Sequence, residues 1–513
     1  MPETSQHAAL PLTDLVVVDA LGDDLRAAGF DATGVPDLLG GPAERALGRG
    51  EFWPALRVAT AADSPLAVLV RLFLLGTTES ISDAASALPR TGIERASAAG
   101  VLEQDGAGVR AALDIRPHSD DSSTRTDHQG YLVISDPDSD TREGPVRHEH
   151  VLGIGQASLS LARAIIRRPV ERVLDIGTGC GIQALHLDHH STAIVATDTN
   201  PRALALAAAT ARINGMEWDL RQGSLFEPVA GEQFDLIVSN PPFVIGSGEQ
   251  QYIYRDSGMV GDAICAELVR GAAAHLRPGG VMQLLANWMV LDGTDWRDRV
   301  SGWLVGSGLD AWVVQRELAD PTEYVSLWLQ DAGEDAHATA VRGNSWLDWF
   351  AEQRVVGIGM GSITLRRKDS GDDGPVDVVL DEITGVGEEV TGIEAEAFLT
   401  RRRWLNRTSQ EQLLATAFRL DPAVVLHERS LPGDEGFVPV LRMLVRSQGP
   451  GATLQVDDWG RALLAGCTGL APLRLVIEIL ATAHDVDEQA LTAAVLPSIA
   501  VAVERGILLP VEP

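Results

Sequence analysis

Val173-Leu174-Asp175-Ile176-Gly177-Thr178-Gly179-Cys180-Gly181 decides the fold class of this chain. Arg172 to Ile176 reads as a short buried strand, and three glycines at every second position follow it. The backbone must therefore turn sharply and admit something close before a helix begins near Ile182. Strand, turn and helix in that order are the building unit of open α/β sheets, whose ligands sit outside the carboxyl ends of the strands. The dinucleotide pattern G-x-G-x-x-G fails here, since its third glycine would fall on Ile182. Asp175 at the strand end would repel a pyrophosphate. It suits a ligand with a cationic amine and no phosphate.

A second apolar strand, Ala193 to Thr197, ends at Asp198, 21 residues after Gly177. An acid in that place is positioned to accept both hydroxyls of a ribose. Phe234-Asp235-Leu236-Ile237-Val238 is a further buried strand and runs into Ser239-Asn240-Pro241-Pro242-Phe243. In order and spacing these segments resemble the class I S-adenosylmethionine-dependent methyltransferases. The Asn-Pro-Pro-Phe motif is similar to that of the subgroup that methylates planar amino or amide nitrogens, including the small-domain ribosomal RNA guanine-N2 and release-factor glutamine enzymes.

The resemblance implies a Rossmann-like sheet and S-adenosylmethionine as cofactor, held by Asp175, Gly177, Thr178, Gly179, Gly181, Asp198, Thr199, Ser224, Leu225 and Asn240. Relatives usually carry Gly-Asp where this chain has Gly223-Ser224, so a hydroxyl would meet the adenine in place of a carboxylate. The resemblance further implies that Gly155 to Ser158, with Gly155 and Ala157, closes over the methionine end. That segment equally suits a plain helix N-terminus. For catalysis, the Asn240 side-chain carbonyl and the Pro241 backbone carbonyl are suited to accept the two N–H bonds of a planar nitrogen. Pro241-Pro242 would fix their direction, and Phe243 would stack on the planar group.

Composition sets wider bounds. A chain of 513 residues exceeds one hydrophobic core. It has no run of eighteen apolar residues and no basic-then-apolar start in Met1 to Thr13, so a cytoplasmic protein without membrane spans is expected. Cys180, Cys265 and Cys467 form no paired pattern, and His148/His150 and His189/His190 lack a third ligand at metal spacing, so no metal is expected. The net charge is −31, which opposes nonspecific nucleic-acid binding. Yet Lys368 is the sole lysine, and the arginines that make up the remaining basic residues grip phosphate wherever they cluster.

Along the chain, Leu15 to Gly100 carries helical spacing. Val101-Leu102-Glu103 and Val109 to Ile115, around Gln104 to Gly108, carry a hairpin signal. Helices followed by a hairpin suggest a winged-helix-like module that reads nucleic acid, dimerises or presents substrate. Pro117 to Arg125 reads as a loop and Tyr131 to Ser135 as a strand. Alternating elements then run from Arg172 to Leu329, with Leu276 to Gly280 as a turn before the strand Val281 to Ala286. Ala311 to Val314 and Tyr324 to Leu329 are expected to finish the sheet.

Beyond Gly333, strands are expected over Val355 to Arg366 and a linker at Asp369 to Gly374. A helix follows over Ala395 to Ala417, with Arg401-Arg402-Arg403 exposed. The ending, helices at Leu473 to Ala483 and Glu488 to Val503 before Gly506-Ile507-Leu508-Leu509, echoes the N-terminal module. The chain thus reads as 1–116, a catalytic domain at 117–332, and 333–513. The expected acceptor is a nucleobase in ribosomal RNA. A protein glutamine amide or a small molecule is the alternative, and a winged-helix binding protein with a vestigial methyltransferase domain is a third reading. Intact Asp175, Gly177, Gly179, Asp198 and Asn240 count against that third reading.

Overall fold

A computed structural model describes residues 10–119, 130–138, 141–142, 146–250, 252–330, 336–385, 388–434, 436–447 and 449–511. It divides into two compact units, Met1–Ala162 with Arg168–Gly308 and Glu317–Arg367, and Arg163–Arg167 with Leu309–Arg316 and Lys368–Pro513. These do not part at 116 and 332.

The first unit contains α1 (Gln156–Ala164), β1 (Val170–Ile176), α2 (Ile182–Leu187), β2 (Ser191–Asp198), α3 (Pro201–Ile213) and β3 (Asp219–Gln222). After these come β4 (Phe234–Ser239), α4 (Ala263–His275), β5 (Leu276–Leu291), α5 (Trp296–Leu304), α6 (Pro321–Gln330), α7 (Ala336–Glu352) and β6 (Val355–Arg367). The strands lie in the order β6-β5-β4-β1-β2-β3. β1 to β5 are parallel and β6 is antiparallel to β5. The second half of β1 and nearly all of β4 are buried, as strands covered on both faces must be. Strand order reverses between β1 and β4, and this switch point opens a crevice at their carboxyl ends.

Three expectations change here. Tyr324 to Leu329 is not a strand but part of α6. Asp320 Oδ1 accepts from the N–H groups of Thr322 and Glu323, Pro321 opens the helix, and Tyr324, Val325 and Leu329 are buried at helical spacing. β6 instead completes this unit's part of the sheet, so the sheet draws on residues past 332. Leu276 to Gly280 is not a separate turn but the irregular start of β5, whose register shifts between Leu276 and Val281.

The N-terminal residues pack within the same unit. Helix Leu15–Ala27 lies on α3, where Arg212 donates to Asp19 (2.7 Å) and Arg26 to the Ile213 carbonyl. Glu79–Ser80, helices Ile81–Ala87 and Ile93–Ala98, and the hairpin Leu102–Asp105/Gly108–Ala111 follow, the three short strands forming one sheet. The second hairpin strand ends at Ala111, and a new strand, Asp114–His118, pairs antiparallel with Tyr131–Ser135 across the boundary expected at 116. Pro117 and His118 are therefore strand, and 120–125 lie outside the described residues.

In the second unit, Ala417–Leu420, Thr468–Pro472 and Leu508–Val511 form an antiparallel sheet. With helices Leu473–His484 and Glu488–Glu504 they bury Phe418, Ile477, Ile499, Val503 and Leu508. The hairpin Val424–Gly433/Gly436–Arg446 had no forecast in the sequence. Arg401, Arg402 and Arg403 are not a free basic face. They pair with Glu394, Asp377 and Asp372, at 3.4, 2.6 and 2.8 Å.

Candidate active site

A cavity of about 610 Å³ occupies the crevice at the ends of β1, β2 and β4. The turn after β1 is anchored by the Gly177 and Thr178 N–H groups, which donate to the Thr197 carbonyl of β2 at 2.9 and 3.0 Å. Gly177 and Gly179 take φ of 73° and 56°, and a Cβ on Gly179 would stand in open space. Gly177, Thr178 and Gly179 line the cavity. Gly181 does not, and its role is packing, since a Cβ there would come within 2.6 Å of the Trp218 ring.

Asp175 is also outside the lining. It is fully buried behind the turn, where its Oδ2 accepts from the Thr178 hydroxyl (2.7 Å) and the Ala184 N–H (3.2 Å). Burial pushes its carboxyl up to about 7. Asp198 does line the cavity, its Oδ2 accepting from the Gly179 N–H (2.9 Å) and its Oδ1 from the Asn200 N–H (2.8 Å). Burial raises its pKa too, with the N–H donors of Asn200, Gly179 and Thr199 opposing the shift. Thr199, Ser224 and Leu225 complete this side, Leu225 in the left-handed region at φ 49°.

Gly155 and Ala157 line the opposite wall. Ser158 Oγ bonds both the N–H and the carbonyl of Gly155, and Gln183 donates to the Ser158 carbonyl at 2.7 Å. The segment is tied down upstream by Asp136, which accepts from the Val151 N–H (2.9 Å) and pairs with Arg202 of α3 (3.0 Å). Three buried polar atoms here have no hydrogen-bond partner: Asp175 Oδ1, Gln183 Oε1 and Thr197 Oγ1.

At the end of β4, the Ser239 hydroxyl donates to the Ile176 carbonyl (2.9 Å) and clamps the two central strands together. Asn240, Pro241 and Pro242 line the cavity. Phe243 is not in that lining, and its ring meets Trp328 edge-on at 6.1 Å. The chain then doubles back, with Phe243 bridging to Asp256 and the Val244 N–H donating to the Arg255 carbonyl. This return brings Ile253, Tyr254 and Ser257 to the cavity. Tyr254 packs its ring against His150, 5.6 Å away, which burial biases toward the neutral form. Sequence reasoning missed Tyr254 and Gln183, and it weighed His150 only as a metal ligand. The one available signal was Tyr252-Ile253-Tyr254, which holds two of the four tyrosines in the chain.

Asn287 is buried and donates to Tyr324 Oη (2.9 Å), which also accepts from the Ile245 N–H (2.9 Å), so it braces the loop after Asn-Pro-Pro. Among the described residues no group of three His, Cys, Asp or Glu is placed to hold a metal ion, and no helix is long and apolar enough to cross a membrane.

Residues 152–291 match the methyltransferase small domain, while 27–112 and 396–510 match two domains described as of unknown function. The chain is 38% identical over 130 residues to the release factor glutamine methyltransferase of Xylella fastidiosa strain Temecula1, covering 23% of this chain and 47% of that protein. It is 35% identical over 119 residues to the ribosomal RNA small subunit methyltransferase C of Enterobacter sp. strain 638, covering 23% of this chain and 31% of that protein. The chain thus spans less than half the length of either relative. Among solved structures, a T. thermophilus 16S rRNA N2 G1207 methyltransferase in complex with AdoMet and guanosine aligns with 61% of this chain and 68% of its own, at 14% identity and a TM-score of 0.29. The YcgJ protein of Bacillus subtilis aligns with 41% and 99%, at 16% identity and a TM-score of 0.30.

Proposed function

We propose that this chain, whose residues 152–291 form a methyltransferase small domain, transfers a methyl group from S-adenosylmethionine to a planar amino or amide nitrogen. One observation carries the reading. Asp198 and Asn240-Pro241-Pro242 line a single cavity at the point where the strand order reverses.

The residues present fit the cofactor. The cavity lies within the roughly 300–1,000 Å³ usual for small-molecule sites. Open space stands where a Cβ on Gly179 would project, and the unpartnered Gln183 Oε1 and Thr197 Oγ1 belong to residues in the lining. Asp198 is the carboxylate for the ribose hydroxyls, and Leu225 and Ile176 supply apolar surface for the base. Bound here, a sulfonium supplies an electrophilic methyl group.

The chain's part is to present the nitrogen. Its lone pair is delocalised into the adjoining π-system, so the N–H bonds must be held while the lone pair is turned toward the methyl group. Asn240 Oδ1 and the Pro241 carbonyl accept those two bonds, and Pro242 keeps the acceptors rigid. The proton leaves after transfer, so no strong base is needed. A nucleobase amine, as in ribosomal RNA, and a glutamine amide both offer such an N–H pair, and relatives named for each acceptor support this coarser reading.

Asn240→Ala tests it. Losing one oriented polar group costs about 2.7–4 kcal/mol in the transition state, roughly a hundredfold to a thousandfold in rate. Cofactor affinity and melting temperature should hold while single-turnover methylation falls. Near-normal turnover with intact binding would refute the mechanism.

A further inference from the structure

A second cavity, of about 370 Å³, adjoins the first, and Ser257 lines both. One wall is the loop that follows Asn-Pro-Pro-Phe and the other is α7. The two walls are fastened together, because Trp346 of α7 donates its indole N–H to the Ile245 carbonyl at 2.8 Å while Tyr324 holds the Ile245 N–H. A molecule seated there is therefore fixed relative to Asn240.

The lining of this cavity has an excess of acid. Glu249, Asp256, Asp348 and Glu352 line it beside the indoles of Trp346 and Trp349. Two arginines, Arg255 and Arg342, line it as well; buried Arg255 and Asp256 are paired (3.2 Å), with the Trp328 carbonyl (2.7 Å) and the Tyr252 ring also holding Arg255, which leaves Glu249, Asp348 and Glu352 facing Arg342. Among the described residues the first cavity adds Asp198 and Asp138, the latter paired with Arg116 (2.9 Å), and no lysine or arginine. A nucleic-acid acceptor would bring its phosphates against these carboxylates, where binding of a polyanion calls for lysine and arginine. Carboxylates beside indole faces suit cations, which gain from both.

Resting on the methyl-transfer reading, we propose that this second cavity is an acceptor subsite for a polypeptide segment in which lysine or arginine flanks the side-chain amide to be methylated. The target nitrogen enters between Asn240 and Tyr254, and the flanking cations lie against α7.

The full chain is incubated with radiolabelled S-adenosylmethionine and, separately, three probes. These are a degenerate peptide pool with a central glutamine flanked by Arg, Lys and Gly, its counterpart flanked by Glu and Gly, and total ribosomal RNA. Labelling of the basic pool should exceed that of the acidic pool at least tenfold. In the double variant Glu249→Lys/Glu352→Lys, both positions being exposed, the preference should fall by about tenfold with cofactor affinity unchanged. Preferential labelling of RNA, equal labelling of the pools, labelling of none of the three, or a preference indifferent to charge reversal would overturn the inference. Calorimetry of cofactor binding is run beside it, since failure to bind S-adenosylmethionine would instead overturn the reading on which it rests.

Discussion

Asp175 and Asp198 end neighbouring strands, yet their environments separate their roles. Asp198 lies in the cavity wall with its oxygens on backbone N–H groups. If it also accepts two ribose hydroxyls, alanine removes bonds worth about 1.5–3 kcal/mol each. Asp198→Ala should therefore weaken S-adenosylmethionine binding at least tenfold by calorimetry, and unchanged affinity would sink the assignment. Asp175, behind the turn, is raised to about 7 by burial, above its ordinary 3.8. Between those values the folded chain keeps a proton that the unfolded chain has lost. The group's contribution to stability is thus fully present below about 3.8 and is lost as pH rises toward 7. In Asp175→Asn, which preserves an acceptor for Thr178 and Ala184, that loss disappears. The melting temperature of the wild type relative to the variant should fall from pH 4 to 7 and then level off, and a constant difference would show that Asp175 is ionised when folded.

Among the elements, the loop after β4 depends most on residues distant in sequence. It is held by Tyr324 Oη, which accepts from both the Ile245 N–H and Asn287 in a buried setting. Tyr324→Phe leaves those two donors without their acceptor, at a cost of about 1–3 kcal/mol per stranded group. Urea unfolding should register that cost. Turnover should fall with it while cofactor affinity stays near normal, because the turn after β1 is anchored independently through Thr197. A loss of cofactor binding equal to the loss of turnover would show that the loop serves the whole crevice.

At the scale of the molecule, β6 decides which fragment is viable. It pairs with β5 from Val281 to Leu291. A fragment ending at residue 330 exposes the unpaired edge of β5 together with Met289 and Tyr324, which cluster in the intact unit with Phe350, Val355 and Ile358. Such a fragment should aggregate. One running from residue 1 to 367 should give a cooperative melt and bind S-adenosylmethionine. Circular dichroism and calorimetry on the two fragments check this, and a well-folded, cofactor-binding 1–330 fragment would show that β6 is dispensable.

The sequence by itself determined the parts that local chemistry dictates. The glycines after β1 announce a sharp turn because positive φ favours glycine, Asn200-Pro201 opens α3 because both suit a helix start, and Asp198 and Asn240 fall at strand ends because the apolar runs stop there. Tertiary structure decided the rest. Tyr324 to Leu329 is too short an apolar run for period alone to separate strand from helix, and burial of one face settled it as helix. Asp175 and Phe243 look like cavity residues in the motif, but the pleat and the returning loop turn both away from the lining. His150, Gln183 and Tyr254 come together from three separate segments, and no spacing in the chain encodes that meeting. The arginines at 401–403 read as a basic patch until their carboxylate partners arrive from elsewhere in the chain. Period, turn and cap are properties of neighbours, whereas partnership and exposure depend on how distant segments pack.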